Sequence, residues 1–449
     1  MTNRNQEGSR ECLPCISVPI FTKYDSIDRI FALVYLAVGY GFIYTFSSVD
    51  FEKNIAIFTV FYAVIVLVYL LGKEIRPPKE SWFWLAVLLA IGIPYALWSS
   101  LYLFQILALM TVAAYWTLSA SGRLLDEKKT SGWVFFDVCN SIAVVPFCNF
   151  LCQIKALFGN CRTEDEGKEK STGATGRAVL LGMVIAIPVL LIILPLLSSA
   201  DAGFEYLVGN AAAFIEEHLL SILLRLLFAL PVSAYLYGLV FGGISGRNTE
   251  KFQITKLQET AKQIRCVPDA AVCTALAILC LVYILFIGLQ GTYLFSAFTG
   301  NIPHNFTYAE YARRGFFELC QIGLWNLVIL WGAGLFSKTE RREHRILSLL
   351  TVLLSVLTLF LIATAVSKLG MYISVYGLTV NRIIPMVFLI WMALVFVCVI
   401  LNQRYEIRTV RICVMAGAVL FCLLCIFPIE SWCESYNLSL IHISEPTRH

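Results

Sequence analysis

Residues 55–71 read IAIFTVFYAVIVLVYLL, seventeen consecutive positions without a charge, a proline or a glycine. Wound as a helix at about 1.5 Å per residue, the run comes close to the roughly 30 Å of a bilayer's hydrocarbon layer. A membrane β-strand would alternate polar with apolar side chains, and a lone span must satisfy its backbone internally, so the run reads as a transmembrane helix. Ten further runs of the same kind lie at 30–46, 82–98, 101–120, 178–197, 219–241, 271–289, 316–336, 346–366, 383–401 and 410–426. The expected fold is therefore all-α, a polytopic transmembrane helical bundle of about eleven spans.

Composition agrees. Of 449 residues, 59% are hydrophobic and 14% charged, against roughly 45–50% and about 25% in soluble chains. A mean hydropathy of +0.76 leaves too few charges to solvate several globular surfaces. That excludes a cytosolic enzyme and a disordered chain. The 15 cysteines show no short regular framework, which excludes a disulfide-stapled secreted module. A net charge of +4 calls for no nucleic-acid partner; the expected partner is the lipid bilayer of the cell membrane.

Lys and Arg residues test the span map, since they are retained on the cytoplasmic side. Counting Arg411 with the segment before the last span, alternate connecting segments hold 27 on one side and 5 on the other. This places the N-terminus in the cytoplasm and residue 430 outside. About 29 mostly polar residues precede the first span without a convincing cleavage site, so the first helix reads as an uncleaved anchor.

The expected organisation is a cytoplasmic tail (1–29), a four-helix membrane segment (30–120), a cytoplasmic stretch (121–177), a seven-helix core (178–428), an extracytoplasmic stub (429–437) and a tail (438–449). Within 132–158, Asp137, Asn140, Pro146, Asn149 and Gln153 interrupt an apolar run, which suits an interfacial or re-entrant segment better than a crossing. TEDEGKEKST at 163–172 reads as a solvated linker. The last twelve residues, LSLIHISEPTRH, resemble a translated sequencing adapter, so native sequence is expected to stop near Asn437.

Three stretches carry a family resemblance: LLSSADAGF (196–204), FTYAEYARRGFFEL (306–319) and SKLGMYISVYGLTVNRI (367–383). On these the chain resembles bacterial polytopic membrane proteins of the domain of unknown function 4153 and 4173 group. The resemblance implies architecture and no established activity. Lys368 stands where the family often has Arg.

The three motifs fall in segments assigned outside, and the candidate ligand-binding residues come from them. Lys368, Tyr372 and Tyr376 are spaced i, i+4, i+8, one helix face, which Gly377 can end in a left-handed cap. Tyr311, Arg314 and Glu318 form a second stripe, and Glu310 can pair with Arg313 or Arg314. Two tyrosines and a cation can hold a phosphate or carboxylate; the competing reading is an aromatic belt with a snorkelling lysine. Asp201 is either a ligand-site acid or the N-cap of a helix from Ala202. Arg225, inside a span, should face the bundle interior, an aqueous cavity or the interface, because its charge in lipid costs at least about 2.5–3.5 kcal/mol. Pro188, Pro195 and Pro231 should kink their helices.

His218 and His304 lack metal-ligand spacing, and no cofactor is expected. Cys12 and Cys15 form a single CxxC, while Cys422 and Cys425 read as packing residues. Catalytic motifs are absent. The leading expectation is a non-enzymatic protein that binds or moves an anionic or amphiphilic envelope-associated ligand at its outer face. Two alternatives stay open: a sensing or scaffolding subunit, and a membrane-embedded transferase or hydrolase using Asp201 or Glu310 as base.

Overall fold

The computed structural model describes residues 24–98, 101–126, 128–158, 193, 220–289, 316–337 and 345–444. The SSAD motif, the span at 178–197, the linker at 163–172 and most of the second motif lie outside them. So do Asp201, Glu310, Tyr311, Arg313 and Arg314.

The described chain is helical, with only two isolated bridges. Its helices are α1 (Ser26–Ser47), α2 (Phe51–Gly72), α3 (Lys79–Gly92), α4 (Tyr102–Ala120), α5 (Val134–Cys139), α6 (Val145–Cys148) and α7 (Cys152–Phe158). After these come α8 (Leu220–Ser245), α9 (Ile254–Ile264), α10 (Asp269–Leu289), α11 (Phe316–Phe336) and α12 (Arg345–Tyr376). The last three are α13 (Val380–Arg404), α14 (Thr409–Ile426) and α15 (Ile429–Ser444). One core joins α1–α8 around Tyr35, Tyr69, Leu88, Trp116 and Tyr237. A second joins α10–α13 around Leu354, Leu361, Leu389 and Phe396. Between them runs α14, whose Cys422 and Cys425 are buried in the first core as packing residues.

Ten stretches among the described residues are long and apolar enough to cross a membrane. Nine coincide with expected spans. The expected span at 82–98 is interrupted: α3 stops at Gly92, and a 3₁₀ turn follows at Pro94–Ala96. Pro94 is the cause, since it lacks the N–H that would continue the helix and clashes with the preceding turn. Gln105 of α4 donates to the Ile91 carbonyl at the broken end (2.8 Å).

The tenth stretch is 134–158, and its hydrogen bonds decide its path better than its composition does. Leu125 N–H donates to Asp137 Oδ1 (2.9 Å), Asn140 Nδ2 to the Thr249 carbonyl (3.2 Å) and Asn149 Nδ2 to the Arg247 carbonyl (2.9 Å). Residues 125, 247 and 249 all follow the same-end termini of α4 and α8. The chain thus leaves and regains one end of the bundle between Asp137 and Asn149.

Long-range contacts also sort the other helix ends. Lys73 reaches Asp25 and Asp28, Arg123 reaches Gly243, Arg411 reaches Glu80, Ser348 reaches Gln403, and Ser337 reaches Asp269. All these contacts join termini at the end where α1 begins. At the other end, Trp98 reaches the Cys425 carbonyl, and Phe51 packs on Tyr95. Among the described residues, these two groups agree with the sides that the Lys and Arg count separates.

Close helix approach fixes the first core. A Cβ at Gly39 would stand 2.6 Å from the Ala229 carbonyl oxygen, so glycine is what lets α1 lie against α8. The third motif begins inside a span helix: α12 runs unbroken from Arg345 to Tyr376, carrying the span and the first part of the motif on one rod.

Candidate functional site

Three polar arrangements and one cavity stand out. At the end of α12, Tyr372 and Tyr376 lie together with ring centroids 5.0 Å apart, as their spacing predicts. The cation over Tyr372 is Arg382, at 4.3 Å from the centroid, rather than Lys368. Lys368 is buried at 1% exposure, deeper in the helix, with Glu318 of α11 as an opposite charge in its surroundings.

Gly377 ends α12 at φ +77°, the left-handed cap expected from sequence. Arg382 donates to the Tyr376 carbonyl (2.9 Å) and to that of Gly377. Asn437 of α15 accepts from Leu378 N–H (2.7 Å) and donates to the Leu378 carbonyl (2.9 Å). The Tyr-Gly-Leu-Thr turn is thereby clamped between a guanidinium and a side-chain amide. Ile429 and Cys433 of α15 pack beneath it on Leu378 and Ile383. The helix continues to Ser444, past the expected boundary at Asn437. Burial and the neighbouring Glu430 and Glu434 carboxylates push the Cys433 thiol upward in pKa.

At the opposite end one buried and one partly buried ion pair lock the first core. Lys73 lies 2.7 Å from Asp28, whose Oδ1 also accepts from Tyr69 (2.8 Å) and whose Oδ2 accepts from Asp25 N–H (2.9 Å). Arg411 lies 2.8 Å from Glu80, which accepts from Thr130 N–H (2.8 Å). The Thr130 hydroxyl in turn meets Tyr115 (2.9 Å) and Trp84 (3.2 Å).

A cavity of about 630 Å³ opens between α1, α2, α3, α4, α8 and the 134–158 segment. Its walls are apolar, among them Phe42, Phe58, Tyr62, Met110, Pro231 and Phe147. Phe46, Leu107 and Phe147 are also exposed on the flank of the molecule, so the cavity communicates with the surface that meets lipid. Arg225 is not one of its wall residues. Its guanidinium is 5.5 Å from the Tyr44 ring centre, and Tyr44 stands between the wall residues Phe42 and Thr45. Along α8, Arg225 is six residues, or about 9 Å, from Pro231.

Of the expected site residues, the structure brings Tyr372 and Tyr376 together and places Lys368 on the same helix. It sets Arg225 apart from them, over the ring of Tyr44. Arg382 and Asn437 had weaker signals: an arginine just after a glycine-capped helix, and an asparagine in the segment following the last span.

The sequence model for domain of unknown function 4153 matches residues 83–445. No curated protein and no solved structure matches the chain. With its apolar helices, this makes it a multi-pass membrane protein in contact with a lipid bilayer. The chain belongs to the family known by that description, domain of unknown function 4153.

Proposed function

We propose that the protein binds an anionic amphiphile in the outer half of the cell membrane, its apolar part in the cavity and its head group at Arg225. The observation that carries this reading is a cavity of about 630 Å³, within the 300–1,000 Å³ range usual for ligand sites; the Arg225 guanidinium lies over Tyr44, next in sequence to the wall residue Thr45. In this reading the end where α1 begins faces the cytoplasm, following the distribution of Lys and Arg. The stretch 134–149 is then a re-entrant segment entered from that side. Cavity walls contributed by Phe42, Phe46, Ile55 and Phe58 lie near the turn between α1 and α2, towards the outer side.

The proposal narrows the expected site to Arg225. Lys368, Tyr372 and Tyr376 belong to the second core and its rim, where Arg382 engages the tyrosine. A scaffolding role is the second reading, favoured by the clamp that ties α15 to the family's Tyr-Gly-Leu-Thr turn.

Binding to purified protein should be measured with two fluorescent probes of equal chain length, a long-chain alkyl phosphate and the matching alkyl alcohol. Ala113→Trp, which fills the cavity, should abolish binding of both. Arg225→Gln should weaken the phosphate about tenfold and leave the alcohol unchanged, since tenfold is about 1.4 kcal/mol and a hydrogen bond to a charged group contributes about 1.5–3. Lys368→Gln should leave both affinities as they are. Undiminished binding in Ala113→Trp, or a phosphate affinity indifferent to Arg225→Gln, would overturn the reading.

A further inference from the structure

The 134–158 segment also carries a buried acid that the amphiphile reading does not use. Asp137 and Asn140 are both fully buried, at 0% exposure. Their separation of three residues in a continuous helical stretch puts them on one face. Each has one oxygen, Asp137 Oδ2 and Asn140 Oδ1, without a hydrogen-bond partner among the described residues. The other polar atoms are committed: Asp137 Oδ1 accepts from Leu125 N–H, and Asn140 Nδ2 donates to the Thr249 carbonyl, which fixes the direction of the amide. Asn140 opens a π-helical turn, Asn140–Val144, within an otherwise α-helical run. Such turns recur at functional sites.

Two orphaned acceptors on one face share a single need, a donor. An ionised carboxylate supplies none, and burying it unpaired costs much; a carboxylic acid carries one O–H. We propose that Asp137 and Asn140 form a proton-binding site at the inner end of the bundle, in which one proton on Asp137 Oδ2 is shared with Asn140 Oδ1. On loading, an O–H bond forms on the carboxylate, and a hydronium ion of the aqueous phase becomes water.

The surrounding groups are consistent with a neutral acid. The loop after α4 brings Asp126, a second carboxylate, into its field. Tyr115 of α4 faces it but is engaged with Thr130, and the Glu80–Arg411 pair beyond is closed on itself. Arg123 Nε donates to the Gly243 carbonyl and Glu250 of the adjoining turn is its acidic neighbour, while its Nη2 is buried without a hydrogen-bond partner among the described residues.

The same turn reaches the cavity: Ile142 is a wall residue, and its carbonyl accepts from Tyr235, another wall residue (2.7 Å). The proton site does not depend on the amphiphile reading, and its test involves no lipid probe.

Infrared difference spectra of the purified protein between pH 5.5 and 8.5 should show a carboxylic-acid C=O band that Asp137→Asn removes. The folded state binds the proton more tightly than the unfolded chain, so stability should fall as pH rises through this range. Wild-type Tm should drop by at least about 2–4 °C, roughly the effect of 1 kcal/mol in a larger domain. Asp137→Asn, whose amide can donate as the acid does, should lose that drop and keep the higher Tm at pH 8.5. Three results would each overturn the proposal: no acid band assignable to Asp137, an unaltered Tm drop in Asp137→Asn, or recovery of the wild-type Tm at pH 8.5 by sodium ion, which would make the occupant a metal cation.

Discussion

Asp28→Ala is expected to destabilise the protein by about 3–5 kcal/mol, because it leaves the buried Lys73 ammonium beside the Tyr69 hydroxyl without its nearest counter-charge. Asp28 is 1% exposed and the Lys73 side chain 6%, so water cannot take over what the carboxylate did. The carboxylate also accepts from Asp25 N–H and Tyr69, while the Asp28 carbonyl accepts from Tyr237 (3.2 Å); α1, α2 and α8 therefore meet at this residue. The second partner of Lys73, Asp25, is 3.2 Å away but more than half exposed and cannot replace it fully. Replacing the pair together, Asp28→Leu with Lys73→Met, should recover much of the loss, since a well-packed apolar pair is often neutral relative to an ion pair. Tyr69→Phe should cost less, about 1.5–3 kcal/mol, for one hydrogen bond to a charged group. Denaturant unfolding of the three variants beside the wild type measures the series. A loss below about 1 kcal/mol for Asp28→Ala, or a double variant as weak as the single, would show that the pair is not what joins these helices.

This pair illustrates what a sequence of this kind discloses and what it hides. The spans were legible because a run such as 55–71 signals burial in lipid by length alone, and the alternation of basic segments sorted the helix ends into the two groups that the contacts reproduce. The cap at Gly377 was legible too, being local. Pro94 was present in the run at 82–98, but hydropathy averaging conceals a break that depends on one missing N–H. Residues 137, 140 and 149 appeared only as interruptions; their bonds to Leu125, Thr249 and Arg247 make the segment return to its starting end. Polar partners are the least legible feature of all. Glu80 and Arg411 are 331 residues apart, and nothing in either neighbourhood names the other. Arg225 was expected to need an aqueous or interior environment, yet no pattern pointed to the Tyr44 ring or to a cavity assembled from six separate segments.

Gly377→Val should cost about 2–6 kcal/mol, the second large effect, and it probes the Tyr-Gly-Leu-Thr turn. At φ +77° a β-branched side chain is strained by about 1–3 kcal/mol. A Cβ there would also collide with Asn437 Oδ1, expelling the amide that pairs with both backbone groups of Leu378. Losing those two hydrogen bonds adds about 0.5–1.5 kcal/mol each. Asn437→Ala alone removes the bonds without touching the backbone, so it should cost about 1–3 kcal/mol. The two changes share the clamp and cannot add: with Asn437 already absent, Gly377→Val should cost only its backbone strain. The double variant should therefore be more stable than the sum of the singles implies, by roughly the value of the clamp. Strict additivity in this cycle would mean that Asn437 does not hold the turn. The third motif's glycine would then be required only to reverse the chain between α12 and α13, with α15 packed over it through Ile429 and Cys433 and no polar tie.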